Sequence, residues 1–143
     1  MQINLKQMAK NTNYILAVGR RKRAVARVRF GDKSLKKGDF MVNGKSAAEY
    51  FKGKVYQTLY EKPFKLTETL GKIAVNVSVS GGGPKGQLQA TVLGIARALS
   101  KSEEKFKKTL RDNGLLTVDQ RVRERRKVGT GGKARRQKQS PKR

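Results

Sequence analysis

Histidine, cysteine and tryptophan are all missing from these 143 residues, and only ten acids stand against 35 lysines and arginines. Each absence closes off chemistry. Without histidine or cysteine there is no zinc finger, no thiol nucleophile, no imidazole acid–base relay and no disulfide framework. The acids are scattered and form no paired general acid and base and no metal-ligand set, so an enzyme acting alone has nothing to work with. Long apolar runs are missing too. None approaches the roughly 18 residues that cross a bilayer, and no long basic amphipathic helix with bulky aromatics offers itself to a membrane surface. Met1 to Thr12 lack both the apolar stretch of a secretory signal and the Arg- and Ser-rich character of a transit peptide, so the protein is expected to stay where it is made. The lack of cysteine fits a reducing compartment.

What is present is cation. The formal charge is +25 and the isoelectric point is near 11, a self-repulsion that phosphates relieve most directly, which favours nucleic acid over lipid as the partner. The length suits one domain, and 36% apolar residues allow a modest core but not one running from end to end. The charge is uneven: residues 121–143 hold eleven cations and one acid, +10 of the total. Their apolar side chains are only Val122, Val128 and Ala134, too few to offset ordering entropy. The expected organisation is a polar N-terminal extension over 1–13, a globular RNA-binding body over 14–120 and a basic, unstructured tail over 121–143.

Within the body, Tyr14 to Val18 is a β-favouring run closed by Gly19, Ala24 to Phe30 alternates in part, and Asp39 to Val42 precedes an Asn43-Gly44 turn. The glycines and lysines between Gly31 and Gly38 suit a hairpin loop of more than two residues. Ser46 and Glu49 have capping-box spacing for a short helix through Tyr50 and Phe51. A second helix is expected over Lys54 to Tyr60, ending before Pro63. Ile73, Val75, Val77 and Val79 then alternate as the clearest strand. Leu88, Val92, Ile95, Ala96 and Leu99 take helical spacing, with Gly94 and Ala98 allowing close packing on a sheet. Lys101 to Asn113 is expected to continue as an exposed helix, with Glu104 facing Lys108, Phe106 and Leu110 inward, and Gly114 as C-cap.

Three motifs carry the functional reading. Arg20, Arg21, Lys22 and Arg23 fall between two predicted strands, where four like charges repel unless a polyphosphate is near. The run Ser80 to Gln87 lies between the strongest strand and the strongest helix. Gly81 and Gly86 have the spacing of a phosphate-binding P-loop, but Gln87 and Leu88 stand where Lys and Ser or Thr are needed, so nucleotide hydrolysis is excluded. What remains is either a tight strand-to-helix turn or an anion site at a helix start with Lys85 beside it. The third motif is the tail: Arg121, Arg123, Arg125, Arg126, Lys127, Lys133, Arg135, Arg136, Lys138, Lys142 and Arg143. It is arginine-rich and has no aromatic, which favours phosphate backbones of folded RNA over stacked single strands.

The order of Gly19-Arg20-Arg21-Lys22, Ala24-Val25-Ala26-Arg27-Val28, Val42-Asn43-Gly44, Tyr50-Phe51, Gly81-Gly82-Gly83, Gly86-Gln87, Gly94 to Leu99, Glu124-Arg125-Arg126-Lys127-Val128-Gly129 and terminal Lys142-Arg143 resembles small-subunit ribosomal protein S-nine. The resemblance runs from about Tyr14 to Arg143 and suggests the bacterial or organellar type. It implies an α+β fold like the second domain of ribosomal protein S-five, with a left-handed βαβ crossover and a long extended basic C-terminal tail. It further implies a structural, non-enzymatic role on the ribosome, in the cytoplasm or in the stroma or matrix of an organelle, without a cofactor. Its partners would be small-subunit ribosomal RNA, neighbouring small-subunit ribosomal proteins and peptidyl-site transfer RNA. Ribosomal RNA contacts would fall to Arg20, Arg21, Lys22, Arg23 and Lys85 of the body and to Arg121, Arg123, Arg125, Arg126, Lys127, Lys133, Arg135 and Arg136 of the tail. Arg143, with Lys142 and Lys138 beside it, would touch the anticodon stem-loop backbone of the transfer RNA.

In the tail, Gln137, Lys138, Ser140 and Pro141 depart from the family's usual Arg, Pro, Phe and Ser, which removes an aromatic anchor while keeping the length. Two other nucleic-acid functions fit less well. The Arg-Asn-Arg helix signature of the ribonuclease P protein is absent, as are the dimerising helices or β-arm of a DNA-compacting protein.

Overall fold

The computed structural model describes residues 14–126 and 128. The expected extension 1–13, together with Lys127 and 129–143 of the expected tail, lies outside them. Nine elements follow along the described chain: β1 (Ile15–Arg21), β2 (Ala24–Phe30), β3 (Phe40–Val42), β4 (Lys45–Ser46), α1 (Ala47–Tyr50), α2 (Lys54–Leu66), β5 (Val75–Ser80), α3 (Pro84–Ser102) and α4 (Lys105–Asp112). The fold is α+β, with one five-stranded sheet in the order β1-β2-β5-β3-β4.

Alternation builds the sheet. Ala24, Ala26, Val28 and Phe30 of β2 and Val75, Val77 and Val79 of β5 share the covered face. β5 pairs antiparallel with β2 and parallel with β3, with Val77 opposite Val28 on one side and Val42 on the other. This corrects the expected hairpin between β2 and β3: the sequence-distant β5 lies between them, because its valines pair on both edges. Asn43 and Gly44, at φ 49 and 79, make the turn from β3 to β4, both in the left-handed region such a hairpin needs.

β1 does not close at Gly19. It runs on through Arg21, with Gly19, Arg20 and Arg21 opposite Ala26, Val25 and Ala24, and the turn is only Lys22-Arg23. Cross-strand pairing outweighs the weak strand propensity of glycine. A two-residue turn makes Arg21 and Ala24 a pair that exchanges hydrogen bonds, so the carbonyls of Leu16 and Val18 face away from β2. Two side chains of α3 reach them: Arg97 Nη1 donates to the Val18 carbonyl at 2.7 Å and Lys101 Nζ to the Leu16 carbonyl at 3.0 Å.

Helix α3 lies over β1 and β2 and is packed in turn by α2 and α4. Leu88, Ile95 and Leu99 are fully covered. The expected end of α2 before Pro63 is also corrected, since the helix passes through Pro63 to Leu66. An interior proline costs about 3 kcal/mol. Burial of Tyr60 and Phe64 on the same face, at roughly 1.5–3 kcal/mol for each such side chain, exceeds it. Phe40 meets Tyr60 and Phe64 edge-on, with centroids 5.3 and 6.0 Å apart.

The helix expected from Lys101 to Asn113 is two pieces. Lys101 and Ser102 finish α3, Glu103 takes an extended conformation as its C-cap, and α4 starts at Lys105. Consequently Glu104 pairs with Lys107 at 3.8 Å, not with Lys108. The C-terminal end is as expected: Gly114, at φ 71, donates to the Arg111 carbonyl and Leu115 to the Leu110 carbonyl, which satisfies the last turn and seats Leu110 in the core.

Candidate nucleic-acid interface

Three segments far apart in sequence converge at one end of the sheet. The first is the β1–β2 turn, where Lys22 is held at φ 53. The second is the glycine run before α3. Gly81 and Gly82 are left-handed, and a Cβ on Gly81 would come within 2.5 Å of the Arg23 carbonyl oxygen. These glycines are therefore needed simply to lay the loop against the hairpin. The third is Val122 to Arg125, which has neither helix nor strand. Together they enclose a cleft of about 630 Å³ lined by five cations, Lys22, Arg23, Lys85, Arg123 and Arg125, against one acid, Glu124.

Helix α3 begins inside this cleft, with Gly83 as N-cap and Pro84 in the first turn. Proline has no N–H, and the Gln87 N–H is used by the Gly83 carbonyl at 2.9 Å. Lys85 and Gly86 thus supply the first-turn amides without an intrahelical acceptor. A helix terminus contributes roughly 0.3–1 kcal/mol to an anion. Five side-chain cations, each worth about 1 kcal/mol to a phosphate at 4 Å even in water, dominate the attraction. The arrangement can bind polyphosphate, and its nearest acid is outnumbered.

Asn43, Tyr50 and Gln87 hold the glycine run in place. Asn43 donates through Nδ2 to the Val79 carbonyl at 2.9 Å and accepts from the Val79 N–H at 2.8 Å, continuing the pairing of β5 past the end of β3. Asn43 Nδ2 also reaches the Tyr50 hydroxyl, which donates to Gln87 Oε1 at 2.9 Å, while Gln87 Nε2 donates to the Gly81 carbonyl at 3.1 Å. Sequence reading missed Tyr50 and Gln87 as supports. No local pattern links them, since they lie 37 positions apart.

Arg20 and Arg21 are on β1, not in the turn. Arg20 is exposed beside a second hollow of about 420 Å³, which Arg21, Asp119 and Arg121 also line. Asp119 accepts from the Arg121 side chain at 3.0 and 2.8 Å and from the Arg121 backbone N–H at 3.0 Å, and pairs with Arg21 at 3.0 Å. The Arg121 hydrogen bonds first, and the charges of Arg121 and Arg21 after them, hold the Asp119 carboxyl well below the usual carboxylate range. Asp119 was also missed, although an Asp two residues before a donor is the local signature of an Asx turn. Arg126 is half-buried and does not line the cleft. Lys127, Lys133, Arg135, Arg136, Lys138, Lys142 and Arg143 lie outside the described residues.

Comparison with known proteins gives the family. The profile of the family described as Ribosomal protein S9/S16 matches residues 19–143. The chain is 45% identical over 125 residues to small ribosomal subunit protein uS9 of Maridesulfovibrio salexigens, spanning 87% of this chain and 92% of the relative. It is 46% identical over 113 residues to uS9 of Cytophaga hutchinsonii, spanning 79% and 86%. Against uS9 of Rickettsia africae it is 42% identical over 138 residues, spanning 96% and 84%. With residues 19–143 matched and such identity over most of both chains, this protein belongs to the ribosomal protein S9/S16 family of the small ribosomal subunit, where it is a structural constituent.

Proposed function

We propose that the protein binds small-subunit ribosomal RNA through the cleft between the β1–β2 turn, the start of α3 and residues 122–125, and contacts peptidyl-site transfer RNA through the end of its tail. The observation that carries this reading is convergence. Lys22 and Arg23, Lys85, and Arg123 and Arg125 come from three separate stretches of sequence and line one cleft, a concentration of like charge that an RNA backbone would relieve. Arg20 extends the basic surface along β1. Beyond the cleft, Arg126, Lys127, Lys133, Arg135 and Arg136 continue the ribosomal RNA contacts, and Lys138, Lys142 and Arg143 reach the anticodon stem-loop backbone of the transfer RNA.

The same reading places neighbouring small-subunit proteins around the body and the protein in the cytoplasm with the ribosome. It also includes the fold expected from ribosomal protein S-five: β3 and β5 are parallel with α1 and α2 between them in sequence, which supports a βαβ crossover, of left hand in this proposal. The test is co-sedimentation of the tagged, full-length protein with small ribosomal subunits in high-magnesium buffer. Recovery in the small-subunit fraction is expected. A protein found free, or with the nucleoid, would overturn the reading.

A further inference from the structure

The four cations from Arg20 to Arg23 do not do the same work. The Arg21 guanidinium is spent within the protein: Nε donates to Gln89 Oε1 at 3.0 Å, Nη1 to the Arg121 carbonyl at 3.2 Å, and Nη2 pairs with Asp119 at 3.0 Å. Its side chain is only 16% exposed. A guanidinium has five N–H donors in one rigid fork. With Nε and both terminal nitrogens engaged, this one is poorly placed to grip a phosphate with two parallel bonds. Arg21 ties β1 to Gln89 of α3 and to a carbonyl 100 positions away.

Asp119 is the centre of this knot. An isolated surface ion pair is worth only about 0–1 kcal/mol, but Asp119 is gripped bidentately by Arg121, bonded to the Arg121 amide and shared with Arg21. We propose that Asp119 is a positioning residue for RNA binding: clamped between Arg21 and Arg121, it fixes where the chain leaves the body, so that Arg123 and Arg125 line the same cleft as Lys22, Arg23 and Lys85. This rests on the RNA-binding reading above.

The proposal makes a prediction of sign. An acid within an RNA-binding surface repels phosphate, so a carboxylate with no other role should bind RNA better once removed. A positioning carboxylate should bind RNA worse once removed. Glu124 supplies the comparison, since it lines the cleft without belonging to the clamp.

The experiment uses the full-length native chain, Asp119→Ala and Glu124→Ala. Filter binding to a full-length transcript of small-subunit ribosomal RNA is measured at two salt concentrations, and ¹⁵N relaxation on the free proteins. In Asp119→Ala, backbone order parameters over 121–125 should fall from near 0.85 to below about 0.6. Amide shifts of the sheet away from Arg21 should stay in place. RNA affinity should fall roughly two- to tenfold, the loss expected when side chains must be ordered on binding. Glu124→Ala should bind more tightly than native. If Asp119→Ala keeps its order parameters, or binds RNA as well as the native chain or better, the clamp is overturned alone. A native chain that fails to bind the transcript would overturn the RNA reading itself, and with it the purpose of the clamp.

Discussion

Gly19 of β1 and Gly94 of α3 meet backbone to backbone. A Cβ on Gly19 would lie 2.5 Å from the Gly94 nitrogen and would overlap the Ala90 carbonyl oxygen, while one on Gly94 would lie 2.6 Å from Val28 Cγ2. This approach seats the helix on the strand that carries Arg20 and Arg21. Gly19→Ala sets a side chain against helix backbone, and we expect a loss of about 3 kcal/mol, at the upper end of overpacking costs. Gly94→Ala meets the Val28 side chain first and the Gly19 nitrogen only at 3.2 Å, and regains up to about 1 kcal/mol of helix propensity, so its net cost should be smaller. Urea titration measures both. A Gly19→Ala midpoint equal to native would show that the helix can simply step back.

The cleft predicts a salt signature. Replacing Lys22, Arg23 and Lys85 together with alanine should weaken binding to ribosomal RNA and flatten the dependence of log K on log salt by about 0.7 to 0.9 for each phosphate that is no longer neutralised. An unchanged slope would make these cations a solvated rim. The body should still fold, because none of the three is in the buried set.

At the terminus, removing Lys142 and Arg143 should leave subunit assembly nearly intact while lowering transfer RNA affinity at the peptidyl site by about 1 to 3 kcal/mol, as loss of charge-assisted hydrogen bonds does. Fifteen residues beyond Val128 can span roughly 50 Å when extended, so reach is not limiting. The contact should be to phosphate, which every transfer RNA presents alike. Filter binding of initiator transfer RNA to subunits carrying full-length or truncated protein, at two salt concentrations, decides it. Equal affinities would return the tail to ribosomal RNA alone.

Asp32 gives a stability prediction with a pH sign. Its carboxylate accepts from the Ser34 hydroxyl at 2.7 Å and the Ser34 amide at 3.0 Å, and these bonds, the hydroxyl first, lower its pKa below the ordinary 3.8. A depressed acid stabilises the fold above its unfolded pKa and loses that contribution as pH falls through the folded value. Asp32→Asn should therefore cost about 1 kcal/mol at neutral pH, and the gap to native should close in acid below pH 3.8. A gap that persists undiminished in strong acid would assign the effect to shape and not to charge.

What could be read from sequence, and what could not, divides by range. The alternation of Val75, Val77 and Val79, the Ser46 cap and the Gly114 stop are local and were legible. Pro63 misled because burial of Tyr60 and Phe64, a tertiary quantity, outweighs a local helix breaker. The extension of β1 past Gly19 depends on Ala24 to Ala26 across the turn, and the place of β5 between β2 and β3 depends on pairing across more than thirty residues. The site divides likewise. Clusters of cations and glycines stood out by composition. That Lys85 joins Arg123 at one cleft, and that Arg21 turns inward to Asp119, follows only from the fold.

Arg97 and Lys101 also guard the outer rim of β1. A sheet with a bare rim is a template, and another chain can dock its backbone there and begin a fibre. In this sheet the Leu16 and Val18 carbonyls are already taken by those two cations, and the opposite rim, β4, offers only Lys45 and Ser46. A newly made copy therefore presents two fewer free carbonyls on which a second copy could grow, and the two stoppers are positive charges, which turn away a chain as basic as itself.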